Sequence, residues 1–201
     1  MDTNILHSIL PNVSARRIKL LKEKMRRQGY AYLMFFENDP IAAKIACTRH
    51  YNVVIVSIED DPIVLADKAL YGVALEESPW RVNLIEDYTV EGVLNALMRC
   101  MKCFQEAVIG INKKWGRTNI LFTYVDVIKA LEKKGFRIRD ATPLLMDVFD
   151  KPFNEEMRII EWISKVCVLA LEEVYEKLRS GLREYEVAAI VENVLGEKWD
   201  Y

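Results

Sequence analysis

The sequence predicts an α/β protein: a mixed β-sheet flanked by helices, followed by a C-terminal helical hairpin. Two observations carry this. Short Val/Ile-rich or aromatic runs alternate with helical patterns up to about residue 150, and one pair of runs is close enough for a hairpin. From Asn154 to about Leu195 there is no strand signal, only two stretches of helical periodicity. A boundary near Lys151-Pro152 therefore separates residues 1–150 from 151–201.

Ser14 reads as an N-cap, followed by Ile18, Leu20, Leu21 and Met25 at helical spacing, with Gly29 as the stop. Tyr30 to Phe36 is an apolar, aromatic run of the buried-strand type. Asn38-Asp39-Pro40 offers a cap and an N1 proline for a short helix to Ala46. Asn52 to Ile58 reads as a strand, Glu59 to Pro62 as a turn, and Ile63 to Ala66 as its hairpin partner. A short helix is predicted over Asp67–Glu77 and a strand over Arg81–Ile85. Thr89 caps a helix carrying Val93, Leu94, Leu97, Met98, Met101 and Phe104. Ala107 to Ile111 is a compact strand. Thr123 with Asp126 resembles a capping box for a helix ending at Gly135. Phe136 to Arg139 is a last strand, and Thr142-Pro143 opens another short helix.

Beyond the boundary, Asn154 caps a long helix to Ser180, with Glu155 and Glu156 suiting the dipole of its first turn. Met157, Ile160, Ile163, Cys167, Leu171, Val174 and Leu178 form a continuous apolar stripe at three- and four-residue steps, widened by Ile159, Trp162 and Val166. This stripe is the candidate packing or dimer face. Gly181 breaks the pattern, and a second helix carries Val187 to Leu195.

Composition narrows the function classes. The 201 residues are 51% hydrophobic and 29% charged, enough apolar material for a proper core, and the net charge of −2 gives no basic field for nucleic acid. No apolar run, whether Val166 to Leu171 or Tyr30 to Phe36, is long enough to span a bilayer, and no signal-peptide pattern opens the chain, so a cytoplasmic protein is expected. Cys47, Cys100, Cys103 and Cys167 are expected to be reduced and packed as small apolar groups. The pair Cys100/Cys103 has C-x-x-C spacing, but a zinc site needs two more ligands, and His7 and His50 are the only histidines. Gly110 and Gly116 are isolated, so there is no phosphate loop, and two histidines support no Ser/His/Asp set.

The segment from Asn154 to Leu195 resembles the opening of the pita-bread metallopeptidase domain of Xaa-Pro dipeptidases, aminopeptidase P and creatinase. The matching pieces are Glu155-Glu156, Gly181, Glu184 and Glu186-Val187-Ala188-Ala189. Upstream, Arg17-Ile18, Leu21, Met25 and Asn38 are similar to the start of that family's N-terminal domain, as are Gly135-Phe136 and Asp140-Ala141-Thr142-Pro143-Leu144-Leu145 to its end. The resemblance implies a ribonuclease-H-like mixed sheet over residues 1–150 and the first two helices of a peptidase domain over 151–201. It implies a dimer in which this domain caps the partner's active site. It also implies that the two divalent metal ions of a full-length relative are held by two Asp, one His and two Glu downstream of the second helix, so no cofactor is expected within these residues. After Asn38 the chain reads Asp-Pro-Ile-Ala-Ala-Lys, where the family has a Tyr-Leu-Thr/Ser-Gly-like run, and Val148 to Pro152 replaces the usual Arg-x-Ile-Lys.

Three functions follow as expectations. One is an accessory, non-catalytic domain of a proline-specific metallopeptidase, forming a homodimer and completed in cis by a catalytic domain if the gene continues. Another is a stand-alone binding or scaffolding protein derived from that fold. The third is a small-ligand-binding α/β domain with its pocket at the strand ends near Asn38, Arg49 and His50. Arg49 and His50 read either as a solvated basic turn or as a contact facing substrate or partner. No nucleic-acid or membrane partner is expected.

Overall fold

A computed structural model describes residues 3–102, 106–113 and 121–198. Cys103, Phe104, Trp115, Gly116 and Trp199 lie outside the described residues. The element order is α1 (Thr3–Gln28), β1 (Tyr32–Phe36), α2 (Pro40–Ala46), β2 (Val53–Ser57), β3 (Ile63–Asp67), α3 (Tyr71–Glu77), β4 (Arg81–Ile85), α4 (Val90–Cys100), β5 (Val108–Ile111), α5 (Leu121–Lys133), β6 (Arg137–Asp140), α6 (Thr142–Phe149), α7 (Asn154–Lys177) and α8 (Glu184–Lys198). The chain forms two compact units: Ser14–Lys151, and residues up to Val13 together with those from Pro152 onward.

The first unit is a six-stranded mixed sheet in the order β4-β3-β2-β1-β5-β6. β2 is antiparallel to β1 and to β3, and the remaining neighbours are parallel. Period-two alternation sends side chains to two cores. Leu33, Phe35, Val54, Val56, Val64 and Ala66 face α1, α2 and α6. Tyr32, Met34, Val53, Ile55, Leu65 and Ile109 face α4 and α5. This two-sided burial is why the strands read as continuous apolar runs. The edge strand β6 carries Arg137 and Arg139, charges of the kind that discourage edge pairing.

Several local signals behave as the chemistry requires. Asp39 caps α2 by accepting from the Ile41 and Ala42 amides, with Pro40 in the first turn. Thr89 caps α4 through the Gly92 amide. Gly29, Gly135 and Gly181 all have positive φ, at 72°, 94° and 95°. Gly110 is required for another reason: a Cβ there would sit 2.4 Å from Leu33 Cδ2 and 2.7 Å from the Ala141 Cβ.

Other expectations are corrected. Ser14 does not cap α1, which begins at Thr3 and contains Pro11; the Ser14 hydroxyl instead donates to the Ile45 carbonyl at 2.7 Å. A capping residue type was spent on a tertiary contact. Thr123 and Asp126 both lie inside α5, where Asp126 pairs with Lys129. Asp67 closes β3 and does not open the following helix. α4 stops at Cys100, short of Met101. The long helix starts after Phe153, whose amide donates to Glu156 at 2.7 Å, and ends at Lys177.

In the second unit α7 and α8 pack on each other. The buried side chains of α7 are Val166, one of the residues that widen the anticipated stripe, and Ala170, which was not part of it. Met157, Ile160, Ile163, Cys167, Leu171 and Leu178 are exposed, and Val174 is half-buried. Leu171 at 67% and Leu178 at 60% exposure lie well out in solvent. Among the described residues no helix is long and apolar enough to cross a membrane.

Candidate functional site

The parallel strands β1, β5 and β6 end at one edge of the sheet, and antiparallel β2 begins there, with Phe36 opposite Val53. The helix after β1 packs on one face of the sheet and the helix after β5 on the other. A crevice between diverging connections at strand carboxyl ends is where open α/β sheets bind ligands. Here it is filled by a polar network.

Its centre is Glu37. The Tyr124 hydroxyl donates to Glu37 Oε1 at 2.8 Å, the Tyr88 hydroxyl reaches the same oxygen at 3.0 Å, and the two hydroxyls lie 2.7 Å apart. The Tyr124 ring packs on Phe36 with centroids 4.3 Å apart. Burial, then the bonds to Tyr88 and Glu37, push the Tyr124 phenol far above its ordinary range. Tyr88 moves the same way, chiefly by burial. Both phenols therefore stay protonated at physiological pH and serve as donors, which the Glu37 carboxylate needs.

A second strand-end carboxylate, Asp39, is buried. Besides its two amide bonds it accepts from Asn112 Nδ2 at 3.0 Å. Burial raises its pKa and these three bonds pull it back. Asn112 Oδ1 accepts from the Thr142 hydroxyl, which itself accepts from the Lys113 amide, and the Thr142 amide donates to Asp140 at 2.8 Å. The segments leaving β1, β5 and β6 are thus tied in series. The bonds within this network fix the loops at the strand ends.

The sequence-derived residues lie on this edge. Asn38 is exposed, with a left-handed φ of 65° between Glu37 and Asp39. Arg49 and His50 occupy the loop before β2, and the neighbouring Tyr51 hydroxyl donates to the Asp39 carbonyl at 2.7 Å, joining the two loops. Arg49 is exposed. His50 Nδ1 lies 3.1 Å from Glu77 Oε2, and Thr48 donates to the same carboxylate oxygen. Trp80 is half-buried and donates its indole N–H to Ile45. Sequence reasoning missed Glu37, Tyr88, Tyr124, Asn112 and Thr142 as a group. The Asp39 cap was visible, but nothing local links Glu37 to tyrosines 51 and 87 positions away.

Among the described residues there is no group of three or more His, Cys, Asp or Glu that could hold a metal ion. Cys47, Cys100 and Cys167 are free thiols.

No protein-family model matches the sequence, and no curated protein matches it. Solved structures do. A prolidase from Pyrococcus horikoshii OT3 superposes with a TM-score of 0.65 at 18% identity, over 91% of this chain and 49% of that one. A prolidase from Thermococcus sibiricus gives 0.66 at 15% identity, over 92% and 50%. A dipeptidase from Mycobacterium ulcerans gives 0.61 at 18% identity, over 92% and 50%. The fold is that of the N-terminal domain of prolidases. The chain spans about half the length of the structures it matches.

Proposed function

We propose that this chain is the non-catalytic N-terminal part of a proline-specific metallopeptidase of the Xaa-Pro dipeptidase or aminopeptidase type. Its roles would be dimerisation and capping of a partner's active site. The observation that carries the reading is the fold match, which takes in about nine-tenths of this chain and only half of each prolidase. The resemblance of Gly135–Leu145 and of Glu186–Ala189 to the same family points the same way. The strand-end network suits the role, since a rigid rim can present Asn38 and Arg49 to a neighbouring cleft. The test is to incubate the 201-residue chain with Mn²⁺, Co²⁺ or Zn²⁺ and a Xaa-Pro dipeptide. No turnover above background is expected. Metal-dependent hydrolysis by preparations free of host peptidases would overturn the reading.

The same reading includes a homodimer in which α7 takes part. Seven apolar stripe residues are exposed or half-buried, and burying a side chain of this size is worth about 1.5–3 kcal/mol. A two-fold pair of copies is the commonest closed way to cover such a face. Light scattering over a concentration series should show a dimer. The double replacement Ile163→Glu and Leu171→Glu should convert it to a monomer with an unchanged circular dichroism spectrum. A wild-type chain that stays monomeric at high micromolar concentration would exclude this interface.

A further inference from the structure

A groove of about 340 Å³ runs along α1 where it faces the β2–β3 turn, lined by Ala15, Ile18, Lys19, Lys22, Glu23, Arg26, Asp61 and Trp80. It is remote in sequence and in the sheet from the strand-end network, and the peptidase reading does not use it. Lys19, Lys22 and Arg26 recur at three- and four-residue steps, so they share one face of the helix.

Two of these cationic groups are held in place by neutral acceptors. Lys22 Nζ donates to the Asp60 carbonyl and Arg26 to the Ile58 carbonyl, each at 2.8 Å. Both acceptors are neutral peptide oxygens, which fix an ammonium or guanidinium yet leave its charge to act on something else. The Asp60 carboxylate is paired with Lys102 at 2.8 Å. Lys19 has no hydrogen bond or ion pair among the described residues. By contrast Lys24, on another face of the same helix, pairs with Asp147. Glu23 and Asp61 offset two of the three positive charges, so the groove stays net positive in a chain whose net charge is −2. The apolar lining comes from Ala15, Ile18 and the Trp80 ring, whose N–H is already committed to Ile45. An indole ring with its polar handle used up offers a flat apolar surface.

We propose that this groove binds a small anion carried on a flat apolar body, such as an aromatic phosphate or carboxylate. The anion lies against Lys19, Lys22 and Arg26, and the ring lies on Trp80. The volume is at the lower end of the small-molecule range, which suits one ring and one charged group.

The probe is phenyl phosphate, titrated into the full chain while the Trp80 indole N–H resonance is followed by NMR and assigned with a Trp80→Phe variant. A saturable shift is expected, weaker at high salt. Lys19→Gln, which removes an exposed side chain with no partner and should leave the fold intact, is expected to weaken binding about fivefold, the factor one exposed ion pair can supply. Three results would each overturn the proposal: no saturation below about 10 mM, equal binding by Lys19→Gln, or inorganic phosphate binding as tightly as phenyl phosphate.

Discussion

Replacing Arg17 by Met should cost about 3–5 kcal/mol, a large loss for a single polar side chain. Arg17 is 2% exposed. Its guanidinium donates to the Val148 carbonyl and, at 2.7 Å, to the Lys151 carbonyl, and it lies 5.3 Å over the Phe149 ring. Val148 is in the last turn of α6, whose carbonyls have no intrahelical partners and gather negative partial charge. One planar fork from α1 therefore caps a helix more than 130 positions away in sequence. Met matches the length and fills part of the space, but it removes the donor to the buried Val148 carbonyl and to the part-buried Lys151 carbonyl, at about 1.5–3 kcal/mol for each charge-assisted bond. The melting temperature should fall by roughly 6–20 °C. Arg17→Lys should recover only part of this, because an ammonium cannot reproduce the fork. A variant melting within a degree or two of wild type would show that the clamp is not what holds α6.

Gly92→Ala should be nearly as damaging, for a steric reason. A Cβ at residue 92 would sit 2.0 Å from the Asp87 carbonyl oxygen and 2.8 Å from its carbon. These are backbone atoms, so no rotamer relieves the overlap and the loop itself must move. Overpacking usually costs about 1–3 kcal/mol, and displaced backbone sets this case at the upper end or beyond. The consequence extends to the strand-end network. Thr89 caps α4 through the Gly92 amide and donates to the Asp87 carboxylate, which fixes the loop that aims Tyr88 at Glu37. Moving Asp87 should pull the Tyr88 hydroxyl away from Glu37. The phenol would then titrate nearer its ordinary value, while Tyr124, held from α5, should shift less. Ultraviolet pH titration of the tyrosines would measure both. Thr89→Ala removes only the cap and should cost about 1 kcal/mol, which separates the cap from the clash.

Local periodicity and capping chemistry account for one part of the fold. The apolar run at Tyr32–Phe36, the hairpin around Asp60-Asp61-Pro62, the Asp39-Pro40 cap and the glycines at 29, 135 and 181 each predict structure from neighbours a few positions away. The mixed sheet, its covering helices and the helical hairpin follow, because a strand buried on both faces and a helix with an apolar face require partners. The remainder depends on contacts between residues distant in the chain. Ser14 has the residue type of a cap, yet its hydroxyl goes to Ile45, since a helix already begun at Thr3 leaves that oxygen free for a tertiary acceptor. The stripe on α7 shows the same limit: periodicity found an apolar face, but of its members only Val166, at the widened margin, is buried, together with Ala170. The network joining Glu37 to Tyr88 and Tyr124, and the clamp from Arg17 to α6, depend on which strand ends the topology brings to one edge. That information lies in contacts 51 to 134 positions apart, where no local pattern reaches.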